Sequence, residues 1–584
     1  RHGALGRGDR FREPSRSVGL RQGFVAYVAA RQASVATSRV SRRRDHPLIA
    51  SVQASGERSL AGVVVSDPLG SHAMTNEPHV LVSGMVEVGL RAEGDSTDPA
   101  ANQRSPGGAV SELRRWAPSL LVGVLIAGSS GCGGGDPDSE GDAASADPPV
   151  DLAVDLAVDL PASEGIYLMP TPVGFELGAA DPFAATPSDE RTTRVKVFVV
   201  ANRRADADAS PAEFLTDRRT IAVRLCTLDV DLVPSVGSWQ QLVELCREPG
   251  RTDGPPIVLS GFTDFGGAWP GPAALEPREE LGPEAVDRFA AAIDEAIDRS
   301  GGEDLYVYVH GFDTTVPKNA GYAAELFNYL GRRGAIVLFA WPSAGDVFGY
   351  AEDKTSARAS ARTFRKCLQL LGSRTKAKKI HILAHSAGTP IAIEAIDELR
   401  LLNDTMQPRD AGRALRLGRL ILAAPDMDFF TAYDALADGA TELPERITIY
   451  DSRSDRALEI AAWFCGGTRL GRSLGELDQR EIDFLMNDAN VDVIDVTNAE
   501  RHAQTWLGHR YFWQNPWVST DVMLTLLTDA NPTDRGLQFD AGRRVHGFGN
   551  DYPDRVRPIA RELIQAVVES RDEEDIRSDA SPAP

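Results

Sequence analysis

The stretch Lys379-Ile-His-Ile-Leu-Ala-His-Ser-Ala-Gly388 decides the reading of this chain. Its first part, Lys379–Ala384, is a short apolar run, which predicts a buried strand. His385-Ser386-Ala387-Gly388 then ends the run, and Thr389–Leu402 follows with helical spacing. A serine on a tight strand-to-helix turn has its hydroxyl lifted above the sheet, and the turn needs small neighbours because backbone and side chains crowd at it. The usual pattern is Gly-x-Ser-x-Gly; here Ala384 stands in place of the first glycine.

Outward from this turn, strand-like runs alternate with helical stretches. Arg194–Asn202 and Thr220–Val230 read as opening strands, followed by a helix within Glu279–Arg299 and a strand at Leu305–Val309. A helix at Lys318–Leu330, a strand at Ala335–Trp341 and a helix at Thr355–Leu371 lead to the turn; Arg419–Ala424, Arg446–Tyr450 and Val491–Val496 supply three more strands after it. Near-continuous apolar strands between helices predict a mostly parallel central sheet with helices on both faces, an α/β fold. In such sheets functional groups lie at the carboxyl ends of the strands.

A serine hydroxyl becomes a useful nucleophile only when a base takes its proton, and that base is usually a histidine oriented by a carboxylate. The strand after Ser386 ends in Asp426; the next is followed by Asp455, beside Arg456; the last is followed by His502 and His509. Asp455 opens a helix, where backbone N–H groups and Arg456 favour the ionised form, so it is the preferred acid; Asp426 could instead cap the next helix. His509 lies in a Gly-containing loop and is preferred as base over His502, which lies in a polar stretch. The tetrahedral intermediate needs two backbone donors. Ala387 N–H, after the nucleophile, and Phe312 N–H, in the His310-Gly311-Phe312-Asp313 loop, are the candidates.

Six segments occur together and in order: Tyr308-Val-His-Gly-Phe-Asp-Thr314, Phe339-Ala-Trp-Pro-Ser-Ala-Gly345, Ala384-His-Ser-Ala-Gly388, Leu422-Ala-Ala-Pro-Asp426, Asp451-Ser-Arg-Ser-Asp-Arg-Ala-Leu458 and Gly508-His-Arg-Tyr-Phe512. Over roughly residues 190–530 the chain resembles a bacterial family of α/β-hydrolases of unknown function, related to esterases and lipases. The resemblance implies the α/β-hydrolase fold and the triad Ser386, Asp455 and His509. It implies no particular substrate.

The N-terminal part reads differently. Residues 1–109 lack sustained periodicity, and residues 1–50 hold eleven Arg against three acidic residues in a chain of net charge −22. They are read as a disordered or non-native extension. Residues 110–132 read as an export signal: Arg114-Arg115, the apolar run Ser119–Ala127, then small residues ending at Cys132. The run is too short to span a bilayer as a mature helix. The ending resembles the lipobox of bacterial lipoproteins, with Ser129 where that family usually has Leu; the resemblance implies lipid on Cys132. Because a signal must open the translated chain, a misplaced start site is expected within residues 1–109, with Val110 or Met85 as the candidate start; the alternative is a real cytoplasmic extension with the apolar run as a buried segment. Residues 133–189 read as a low-complexity linker, 190–570 as the hydrolase domain, and 571–584 as a disordered acidic tail.

The acidic body gives no electrostatic footprint for nucleic acid. The five cysteines form no CxxC pair, and no dense ligand cluster or Walker A pattern occurs, so neither metal nor cofactor is expected. Cys226 and Cys246 are read as reduced core residues or as a bridge. The expectation is a serine hydrolase of the cell envelope, lipid-anchored to the membrane, acting on a small-molecule or lipid ester. The alternatives are a catalytically silent binding module on the same fold and an acyltransferase.

Overall fold

The structure, a computed structural model, describes residues 166–579 except 207–208, 211, 269–282, 313, 344–349, 476, 478–479, 482, 484–487 and 504–507. The export signal, Cys132 and the extension 1–109 lie outside the described residues.

The described strands form one twelve-stranded sheet in the order β1-β4-β3-β2-β6-β5-β7-β8-β9-β10-β12-β11. Their ranges are β1 Ile166–Tyr167, β2 Arg194–Ala205, β3 Leu215–Asp231, β4 Pro256–Gly267, β5 Asp304–Val309, β6 Ala335–Ala340, β7 Lys379–His385, β8 Leu417–Ala423, β9 Arg446–Asp451, β10 Val491–Asp495, β11 Gln538–Asp540 and β12 Val545–Gly547. From β2 through β10 to β12 every pairing is parallel. The opening strands depart from that pattern: β1, β4, β3 and β2 form an antiparallel wing, and β11 closes the other edge antiparallel. The parallel strands are buried on both faces, and their side chains alternate between two cores. Tyr306 and Tyr308 point to one, Leu305, Val307 and Val309 to the other. Helices Val316–Tyr329 and Pro516–Leu527 cover the first face; helices Pro283–Ser300, Tyr350–Arg374 and Thr389–Leu402 cover the second.

The chain runs from β5 outward to β6, then passes back over β5 to β7. The crevice above the carboxyl ends of β5 and β7 is therefore a switch point, where α/β sheets bind ligands.

Two boundaries move. The linker reading of 133–189 reaches into the domain: Leu168, Met169, Val173, Phe175 and Phe183 are buried, and Met169 N–H donates to Glu325 at 2.6 Å. These apolar residues are spaced among Pro and Gly with neither strand nor helix period, because they pack as an irregular strap. At the other end, helix Tyr552–Asp579 runs into the stretch read as a tail. Cys226 and Cys246 are both free and buried, and burial pushes the Cys246 thiol up to about 12. Among the described residues no helix is long and apolar enough to cross a membrane.

Candidate active site

Ser386 follows directly on β7 and sits at φ 52°, in the left-handed region that non-glycine residues seldom occupy. Holding a serine there costs on the order of 1–3 kcal/mol, which the surrounding structure must supply. Gly388 shows how tight the turn is. A Cβ on it would stand 2.3 Å from the His310 carbonyl oxygen and 2.8 Å from that of Val309, backbone atoms of β5 and its loop that cannot move aside. Ala384 is wholly buried in the neighbouring strand position, where its methyl group is accommodated.

Above this turn three side chains form a chain of hydrogen bonds. Ser386 Oγ lies 2.7 Å from His509 Nε2, and His509 Nδ1 lies 2.7 Å from Asp455 Oδ2. Asp455 is completely buried and uses its other oxygen, Oδ1, to accept from Leu458 N–H at 2.9 Å, capping helix Arg456–Cys465. Burial works against charge on His509, but the facing Asp455 carboxylate outweighs it and holds the imidazole above its usual value. His509 follows Gly508, whose φ of 58° turns the loop toward the serine.

The other candidates fall elsewhere. Asp426 is buried near Ser386 but does not bond His509: it accepts from Tyr350 at 2.9 Å and pairs with Lys354 at 3.3 Å. Nor does it cap the following helix, since Asp428 does so by accepting from Thr431 N–H. The exposed His502 stacks on Trp517, with ring centroids 4.6 Å apart.

The loop after β5 lies against Ser386, because a Cβ on Gly311 would stand 3.0 Å from Ser386 Cβ. Phe312 and Ala387 therefore follow two residues that touch. His310 anchors this loop. Its ring stacks on Trp341 with centroids 5.0 Å apart, and Trp341 Nε1 donates to the His310 carbonyl at 2.7 Å. Burial pushes the His310 imidazole down to about 3, so it is neutral and structural.

Two further residues hold the site together. The Tyr511 hydroxyl accepts from Ala424 N–H at 2.7 Å and donates to the Tyr450 carbonyl at 2.7 Å, tying the ends of β8 and β9 to the His509 loop. Glu500 accepts from the hydroxyls of Ser452 and Ser454 beneath the Asp455 loop, and burial pushes its carboxyl up to about 7. Tyr511 lies within the segment Gly508–Phe512 and so carried a signal; Glu500, in a polar stretch, carried none. Among the described residues no group of three His, Cys, Asp or Glu side chains could hold a metal ion.

Residues 286–528 match the model of a family described as "Alpha/beta hydrolase of unknown function (DUF900)". Over these residues the chain is similar to that α/β-hydrolase family, and its mostly parallel sheet flanked by helices is an α/β fold. The match spans β5 to β10 and so includes Ser386, Asp455 and His509. No curated protein and no solved structure matches the chain.

Proposed function

We propose that this α/β protein is a serine hydrolase that cleaves a carboxylic ester through an acyl-enzyme. The observation that carries the reading is the Ser386–His509–Asp455 chain, with both contacts at 2.7 Å. Ser386 Oγ attacks the carbonyl carbon while His509 Nε2 takes its proton. The tetrahedral intermediate places its oxyanion toward the N–H groups of Phe312 and Ala387. Collapse breaks the bond to the alkoxide, which leaves as the alcohol with the proton from His509. Water, deprotonated by His509, then attacks the acyl-enzyme and releases the acid and free serine. Asp455 keeps the Nδ1 proton directed toward itself and stabilises the imidazolium between these transfers. By the same proposal the enzyme is exported and tethered to the membrane through Cys132.

Fluorophosphonates test the reading, because they react readily only with a serine activated by a base. Stoichiometric labelling is expected at Ser386, absent in Ser386→Ala and strongly slowed in His509→Ala. The equally buried Ser343 and Ser452 should stay unlabelled; their hydroxyls bond carboxylates, of Asp353 and Glu500. Folded protein that takes up no probe and turns over no small activated ester would support a silent binding module instead.

A further inference from the structure

Two cavities adjoin beside the nucleophile, on the face covered by helices Val316–Tyr329 and Pro516–Leu527. The nearer one opens at Gly311, with Thr314, Asn319 and Arg510 around its mouth. The second shares four aromatic walls with it, Tyr308, Tyr322, Phe512 and Trp513, and ends on Leu326, Leu383, Val522 and Met523. All four end residues are buried, and each cavity has room for little more than a water molecule, so the slot is narrow and short. The mouth is polar. Asn319 is 1% exposed, its side-chain oxygen accepts from Thr314 at 3.1 Å, and its Nδ2 has no protein partner.

Gly311 joins the slot to the reacting centre. A side chain there would meet His385 Nδ1 at 2.7 Å and Ser386 Cβ at 3.0 Å, so only a glycine lets this lining of the cavity lie directly against the serine. Polarity along the slot then runs from hydrogen-bonding groups near the nucleophile to hydrocarbon at the end. This matches an acyl group, whose carbonyl must sit at Ser386 and whose tail is apolar. A slot that ends on buried side chains also suits the part of an ester that stays bound. The alcohol leaves after the first step and needs an open route, whereas the acyl group remains on the serine. The depth is limited too. Leu383 lies three residues before Ser386 on β7, a distance of about 10 Å along a strand.

Resting on the serine-hydrolase reading above, we propose that this slot is the acyl subsite and restricts the enzyme to esters of short-chain acids. A chain that fits gains the burial of each methylene, and one that overruns the end loses that gain and displaces packed side chains.

The test compares p-nitrophenyl butyrate with p-nitrophenyl decanoate in the wild-type chain and in Met523→Ala and Leu326→Ala, with fluorophosphonate labelling of each protein in parallel. The wild type should favour butyrate in kcat/KM by at least about tenfold, within the range pockets achieve by size alone. Either truncation should raise decanoate relative to butyrate by about tenfold. Wild-type protein that labels at Ser386 yet hydrolyses decanoate as fast as butyrate would overturn the subsite. So would a ratio unmoved in truncated variants that still label. Absence of both labelling and turnover in folded wild type would instead overturn the hydrolase reading. Should a truncation fail to fold, the wild-type comparison alone decides.

Discussion

Asp455 divides its carboxylate between two tasks, one oxygen on Leu458 N–H and the other on His509 Nδ1. In Asp455→Asn the amide oxygen can keep the helix cap, which turns the amide nitrogen toward Nδ1. The imidazole must then accept at Nδ1 and carry its proton on Nε2, where it cannot take one from Ser386. A fall in kcat of up to about 10⁴ is expected with little change in thermal stability. Asp426→Asn should cost far less, because Asp426 bonds Tyr350 and Lys354 rather than the base; the reverse ranking in ester turnover would show that the wrong carboxylate has been chosen. The pH profile carries the same logic. In the proposed mechanism His509 acts as base only when neutral, and Asp455 raises its pKa. Activity should therefore fall as pH drops through a value above the usual imidazole figure of about 6.5. That limb should move to lower pH in Asp455→Asn, and by less in Asp426→Asn, whose charge also raises His509.

Helix Pro516–Leu527 is buried almost all round, and inside it Asp521 meets Arg535 at 2.8 Å and the Tyr450 hydroxyl at 2.7 Å. Replacing Asp521 with Asn leaves the buried guanidinium without its counter-charge, a change expected to cost about 3–5 kcal/mol in urea unfolding. A loss below about 1 kcal/mol would mean that water reaches Arg535. The same helix shows why part of the fold was not legible in sequence. With Ser519, Thr520, Asp521 and Thr525 all inside, it has no polar stripe to set a helical period. β4 is half exposed and holds Gly261, Gly266 and Gly267, so its apolar residues form no clean alternation. By contrast β5 to β9 are apolar on both faces and announce themselves as short runs. Ser386 was legible because a strand ends at it and a helix starts after it. Asp455 and His509 needed chain order as well, and the Tyr511 latch needed the structure, since a tyrosine hydroxyl with two backbone partners leaves no pattern in sequence.

At the scale of the whole molecule, the export proposal makes a prediction independent of catalysis. The mature protein should begin at Cys132 with lipid on its thiol, as read by mass spectrometry; a mature N-terminus upstream of Arg114 would sink it, and cleavage at another small residue would keep export but remove the anchor. The parts of the proposed catalytic centre also arrive in a fixed order along the chain: the nucleophile after β7, the acid after β9, the base after β10. The Tyr511 hydroxyl then fastens the base's loop to the backbone of Ala424 and Tyr450. A ribosome reads the gene in that same direction, and domains tend to fold as synthesis proceeds. A half-made chain would thus hold an inert serine alcohol. Reactivity would switch on only once synthesis had passed Tyr511, so the growing polypeptide would be shielded from its own chemistry until the catalyst was nearly whole.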